Sequence, residues 1–108
     1  MTAVPDDSER AVAVVTGAAT GIGRGVALRL ADDGAAVGVL DTSAADDTIE
    51  QIEREGGSAF AVRCDVTDEA SVGHAAAAVE STLGRASILV NAAGIYPNHP
   101  FSDLTFAE

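Results

Sequence analysis

The chain has 108 residues, 47% of them hydrophobic but only 4% aromatic, with no Trp; that is the length of one domain with a core of Ala, Val, Ile and Leu, which suits a parallel α/β sheet and argues against a disordered chain. Six arginines, no lysine and seventeen Asp and Glu give a net charge of -11, which argues against a nucleic-acid partner, because phosphate neutralisation needs a basic face. A single cysteine, Cys64, excludes an internal disulfide framework and any Cys-rich metal site.

In chain order, the segment MTAVPDDSER carries neither a cationic start nor an apolar stretch, so it reads as a disordered tail over residues 1–10 and not as a secretory leader. No apolar run reaches the length of a membrane span, so the cytoplasm is the expected compartment and no membrane partner is expected. The first strand is expected over residues 11–15, followed at once by Thr16-Gly17-Ala18-Ala19-Thr20-Gly21-Ile22-Gly23 and a helix with an apolar stripe of Ile22, Val26 and Leu30, ended by Gly34. A second strand is expected over residues 35–40. A second helix follows, with Ala45, Ile49 and Ile52 on one face and Gly56-Gly57 at its end. A third strand over residues 58–62 leads to Cys64-Asp65-Val66. The third helix has a stripe of Val72, Ala76, Val79 and Leu83, a start capped by Thr67 and an end at Gly84. A fourth strand over residues 87–90 runs into Asn91-Ala92-Ala93-Gly94. Strands alternating with helices predict a Rossmann-type parallel sheet with right-handed crossovers and helices on both faces.

The chemistry falls at the strand ends. A strand, a glycine-rich turn and a helix start form a phosphate cradle, because the free N–H groups and the dipole at a helix N-terminus favour negative charge. Gly17 can make the tight turn, Gly21 lets a ligand approach the backbone, and Gly23 lets the helix lie near the strand. Asp41 ends the second strand 24 positions after Gly17, where a dinucleotide site places an acid about 20 residues after its glycines to accept hydrogen bonds from the adenosine ribose. Asp41 can also cap the backbone before Ser43, and the two roles are compatible. Neither neighbouring loop position offers a cation: Thr42 follows Asp41, and Thr20 precedes Gly21. The expected cofactor is therefore NAD(H), with NADP less favoured.

Taken together, the Thr16–Gly23 loop, the Asp65-Val66 pair and the Asn91–Gly94 segment resemble the short-chain dehydrogenase/reductase family, over residues 11–108. The match departs at Ala92, where the family more often has a second Asn. The resemblance implies a sheet order 3-2-1-4, incomplete in this chain. It assigns Asp65 to the adenine amino group and the backbone of Val66 to the ring. Asn91 would brace the fourth strand against the glycine loop, Ala93 and Gly94 would border the cofactor ribose, and Ile22 would meet the pyrophosphate through its backbone. Cys64 reads as a small buried residue, His74 as a surface residue and His99 as part of a plain loop.

The family's general acid–base chemistry resembles that of a Tyr in a Tyr-x-x-x-Lys segment, assisted by a Ser and an Asn. This sequence has one Tyr and no Lys. Tyr96 is followed four residues later by Pro100, so no catalytic residue is assigned. Thr105 to Glu108 has the form of a capping box that announces a helix, and the fourth strand would leave an open apolar edge. Both lead to the expectation of an N-terminal portion of a longer protein. Two functions follow. One is the cofactor-binding part of an NAD(H)-dependent dehydrogenase acting on a small-molecule secondary alcohol or ketone, inactive by itself and a homo-oligomer when complete. Gly94-Ile95-Tyr96-Pro97 with Pro100-Phe101 resembles reductases of secondary alcohols, aryl-ethanol dehydrogenases and 3-oxoacyl reductase relatives. The other is a non-catalytic NAD-binding or assembly module completed by a partner.

Overall fold

A computed structural model describes residues 10–93. The predicted readings of the tail before Arg10, and of Gly94, Tyr96, His99 and the Thr105–Glu108 segment, lie outside the described residues. The elements follow one another as β1 (Val12–Thr16), α1 (Gly21–Asp32), β2 (Ala36–Asp41), α2 (Asp46–Arg54), β3 (Ser58–Arg63), α3 (Glu69–Leu83) and β4 (Ile88–Asn91). The four strands form one parallel sheet in the order β3-β2-β1-β4, the order expected from the sequence.

Side chains alternate across the strands, which splits the core in two. Val15, Val37 and Val39 point to one face, where α1 and α2 bury Ala27, Ala45 and Ile52 against them. Val12, Ala36 and Leu40 point to the other, under Ala75 and Val79 of α3. Cys64, directly after β3, is 3% exposed in this second cluster, and its N–H donates to the carbonyl of Asp41. Small residues set the layer spacing. A Cβ on Gly38 of β2 would fall 2.9 Å from Val79 Cγ2, so α3 sits directly on the strand at that point. Arg24 of α1 donates to Gln51 of α2 at 2.6 Å, tying the two helices on the first face.

All four strands end one residue later than the sequence suggests for the apolar runs, and β1, β2 and β4 also start one residue later. The backbone ladder continues through Thr16, Asp41, Arg63 and Asn91 because it takes no account of side-chain polarity. As a result these four polar residues are the last rungs of their strands. Thr16 pairs with Asn91, and Asp41 pairs with Arg63.

The helical stripes are corrected in detail. In α1 the buried residues are Gly23 and Ala27, while Ile22 is 81% exposed. The helix turns its smallest residues to the sheet because they allow the closest approach, and Val26 and Leu30 are left half-buried at the margin of the core. In α2 the buried stripe is Ala45, Thr48 and Ile52, with Ile49 only half-buried. In α3 it is Ala75 and Val79, whereas Val72 and Ala76 are exposed. The helix is packed on β2 and β3, and those two residues turn away from that contact. The start of α3 is also different. Asp68, not Thr67, is the cap, and its carboxylate accepts from the N–H groups of Ala70 and Ser71. Thr67 instead turns back to Asp65. Arg10, expected in the tail, donates to the hydroxyl of Ser58 at 2.9 Å.

Candidate functional site at the carboxyl edge of the sheet

All four strands run the same way, so their carboxyl ends and the segments that follow them form one edge. The turn between β1 and α1 is built on contacts that exclude side chains. Gly17 has φ +70°, and a Cβ there would fall 2.6 Å from the Cα and N of Ala93. A Cβ on Gly23 would overlap the carbonyl oxygen of Gly17. Gly21 differs from both: it has φ +60°, yet a Cβ would meet nothing within 4 Å. The chain therefore leaves open space at the start of α1.

That start is electrostatically open as well. Thr20 is the N-cap of α1 but makes no side-chain cap bond, and the first turn holds no acidic residue. The other two helices are different: α2 opens with Asp46 and Asp47, and α3 is capped by Asp68. The first-turn amides of α1 are thus left for an acceptor from outside the helix. The space at Gly21 is a cradle that fits a phosphate group, and Ile22, exposed beside it, presents its backbone there.

Asp41, the last residue of β2, is held by two main-chain donors. Its Oδ2 accepts from Ala19 N at 3.0 Å and its Oδ1 from Ser43 N at 2.9 Å. An ionised carboxylate has about four acceptor positions, so roughly two remain for ribose hydroxyls. The bond to Ser43 is a turn closure and not the cap of α2, which begins later, at Asp46. At the other end of the edge, the buried Thr16 hydroxyl donates to Asn91 Oδ1 at 3.3 Å and accepts from Ala93 N at 3.2 Å. Those bonds fix the end of β4 to the foot of the glycine turn.

Asp65 follows β3. Its Oδ1 accepts from the Thr67 hydroxyl at 2.6 Å and from Thr67 N at 2.9 Å. The Thr67 hydroxyl and then the Thr67 amide hold its pKa below the usual 3.8, helped by the nearby Arg63 charge and opposed by partial burial. The group stays an acceptor, as a partner for an amino group must. Val66 beside it is 44% exposed. Thr42 is also exposed.

Between β2 and β3 lies a cleft of about 260 Å³ whose lining includes Val39, Asp41, Thr42, Asp46 and Arg63. This corrects one expectation. No cation neighbours Asp41 in sequence, but Arg63 stands opposite it in the sheet register and shares its cleft. Linear spacing misses this pair; it follows from the parallel register of β2 and β3. Thr48 was also missed. It is fully buried, and its hydroxyl donates to the carbonyl of Ala18 at 2.9 Å. Its signal in the sequence is a polar residue inside an otherwise apolar stripe. Of the site residues predicted from the sequence, Gly17, Thr20, Gly21, Ile22, Gly23, Asp41, Thr42, Asp65, Val66, Asn91 and Ala93 all lie along this one edge. Among the described residues, no cluster of His, Cys, Asp and Glu could hold a metal ion, and no helix is long and apolar enough to cross a membrane.

A family model described as short chain dehydrogenase matches residues 11–108. The chain is 40% identical over 99 residues to the short-chain dehydrogenase/reductase homolog YusS of Bacillus subtilis, covering 89% of this chain and 91% of that protein. It is 42% identical over 98 residues to the 7alpha-hydroxysteroid dehydrogenase of Escherichia coli, covering 89% of this chain but only 38% of that protein. Among solved structures, a blue fluorescent protein from a metagenomic library, in complex with NADPH, superposes with a TM-score of 0.79 at 34% identity. That match covers 93% of this chain and 42% of the other.

Proposed function

The chain belongs to the short chain dehydrogenase family, and on that premise we propose that it is the cofactor-binding portion of an NAD(H)-dependent oxidoreductase acting on a small-molecule secondary alcohol or ketone. When bound, the nicotinamide would take up or give a hydride. This chain's own residues would hold the dinucleotide. The α1 amides and Gly21 would take the pyrophosphate, Asp41 the adenosine ribose, Asp65 and Val66 the adenine, and Ala93 and Gly94 the nicotinamide-side ribose. Asn91 and Thr16 would keep β4 and the glycine turn together. The observation that carries the reading is Asp41, a strand-end carboxylate that is already oriented by two amides and has acceptor positions to spare. A 2′-phosphate would meet that charge, which favours NAD(H). Arg63 in the same cleft reduces the penalty without removing it, since Asp46 lines the cleft too.

The substrate class is an extension from relatives such as the hydroxysteroid dehydrogenase, of which this chain spans well under half. In the complete protein we expect a homo-oligomer in the cytoplasm. Titration of the protein with NADH and NADPH, followed by nicotinamide fluorescence, tests the cofactor. Tighter binding of NADH supports the reading, and equal or tighter binding of NADPH overturns the preference.

A second reading is a non-catalytic NAD-binding or assembly module completed by a partner. The observation that favours it is the Bacillus subtilis relative, nearly all of which this chain spans. The coding sequence beyond codon 108 separates the two. An in-frame Ser and Tyr-x-x-x-Lys supports the oxidoreductase, and an immediate stop codon supports the module.

A further inference from the structure

One peptide unit in the glycine turn is gripped at both ends. Its carbonyl, Ala18 C=O, accepts from the Thr48 hydroxyl at 2.9 Å, and its amide, Ala19 N–H, donates to Asp41 Oδ2 at 3.0 Å. Thr48 is 0% exposed, and Ala18 and Ala19 are 0% and 6% exposed, so water cannot replace the hydroxyl. The same hydroxyl lies 3.5 Å from Ala19 O, a weaker second acceptor. Carbonyl and amide share a plane, so rotating one rotates the other. If the Ala18 carbonyl turned, the Ala19 N–H would leave Asp41.

We propose that Thr48 is a positioning residue for the cofactor site, fixing the Ala18–Ala19 peptide and, through it, the carboxylate of Asp41. The proposal rests on the cofactor reading above and deepens it by linking α2 to ribose recognition. The bottom of the glycine turn is set from below by a buried hydroxyl of α2. Asp41 keeps its spare acceptor positions aimed outward because its Oδ2 is tied inward. The arrangement explains why a hydroxyl stands in the stripe Ala45, Thr48, Ile52, where an aliphatic residue would pack as well.

The test uses the chain with Thr48→Val, which keeps the shape and drops the hydroxyl, Thr48→Ser, which keeps the hydroxyl, and Asp41→Asn. NADH is titrated into each and into the Thr48→Val/Asp41→Asn double variant. Amide hydrogen exchange at Ala19 is read without ligand. Thr48→Val weakens NADH binding about tenfold, the scale of one lost buried hydrogen bond, and speeds exchange at Ala19. Thr48→Ser binds within about twofold of the parent, and the double variant lies within about twofold of Asp41→Asn, since both act on one path. Unchanged NADH affinity in Thr48→Val, or losses that multiply in the double variant, overturns the proposal. If Thr48→Val does not fold, Thr48→Ala takes its place under the same criteria. Failure of the parent chain to bind NADH overturns the cofactor reading, and Ala19 exchange then still decides whether Thr48 holds the peptide.

Discussion

Asp41 carries charge, geometry and discrimination in one side chain. Replacing it with Asn keeps the shape and removes the charge that a 2′-phosphate would meet. The ratio of NADPH to NADH dissociation constants should fall about tenfold, the worth of one charge-assisted hydrogen bond. Arg63, opposite it on β3, then faces the phosphate with one carboxylate fewer in the cleft, Asp46 remaining. An unchanged ratio by fluorescence titration contradicts this. Asp65 gives a pH prediction. Its pKa in the folded state is lowered, chiefly by the Thr67 hydroxyl, so its contribution to stability is present above pH 3.8 and is lost as pH falls through the lower folded value. Asp65→Asn should therefore flatten the acid limb of a urea-midpoint against pH curve below pH 3.8 and leave its shape near neutrality unaltered. Asp41 was expected at its strand end because the acid follows an apolar run, and Asp65 because the family resemblance marks the Asp65-Val66 pair. Arg63 and Thr48 were not, because their roles depend on register and on which face of a helix is buried.

At the scale of the element, two glycines in the first turn of α1 should respond in opposite ways. Gly23→Ala puts a methyl onto the Gly17 carbonyl, so helix and turn must separate and the thermal midpoint should fall steeply. Gly21→Ala meets no atom within 4 Å but keeps a φ of +60°, a strain of about 1 kcal/mol for an L side chain. It should leave the protein folded while weakening NADH binding by much more than the loss of stability implies. Equal losses in both variants contradict the distinction. For α3, Asp68→Ala should cost about 1 kcal/mol as a lost cap, measured by urea denaturation, and Thr67→Ala less. Strands and helices were legible from apolar runs and glycine punctuation. Their rotation was not. A stripe of Ile22, Val26 and Leu30 looks more hydrophobic than Gly23 and Ala27, but the closest packing selects the smaller residues. Likewise, adjacent Thr67 and Asp68 both qualify as caps by type, and Thr67 is drawn off by Asp65.

At the scale of the molecule, the two faces of the sheet are covered unequally. Leu89 of β4 lies on the α3 face, in register with Val14, and is 65% exposed. Among the described residues α3 packs on β2 and β3 and leaves that part of the face bare. Exposed apolar side chains beside an edge strand favour self-association. Leu89→Lys should reduce the concentration dependence of light scattering without lowering the thermal midpoint, and an unchanged profile would show that the face is covered in solution. The parallel sheet was legible from the alternation of elements and its strand order from the family resemblance, whereas the bare face depends on where α3 lies across the sheet. The pure 108-residue chain should also show no NADH production from NAD⁺ with secondary alcohols, because it has no lysine to lower the pKa of a tyrosine. Steady turnover in a coupled absorbance assay contradicts this.

The place of Cys64 gives the protein a clock. The thiol is sealed beneath α3 and is the sequence's single sulfhydryl, so a disulfide reagent can react only in the moments when that layer opens. At high reagent concentration the labelling rate becomes the opening rate of α3 from β3. At low concentration it reports how often the open form is present. NADH binding across the carboxyl edge should slow the reaction only if opening at α3 also breaks the cofactor cradle. A single-turnover colour change can therefore tell whether the two faces of the sheet come apart together or separately.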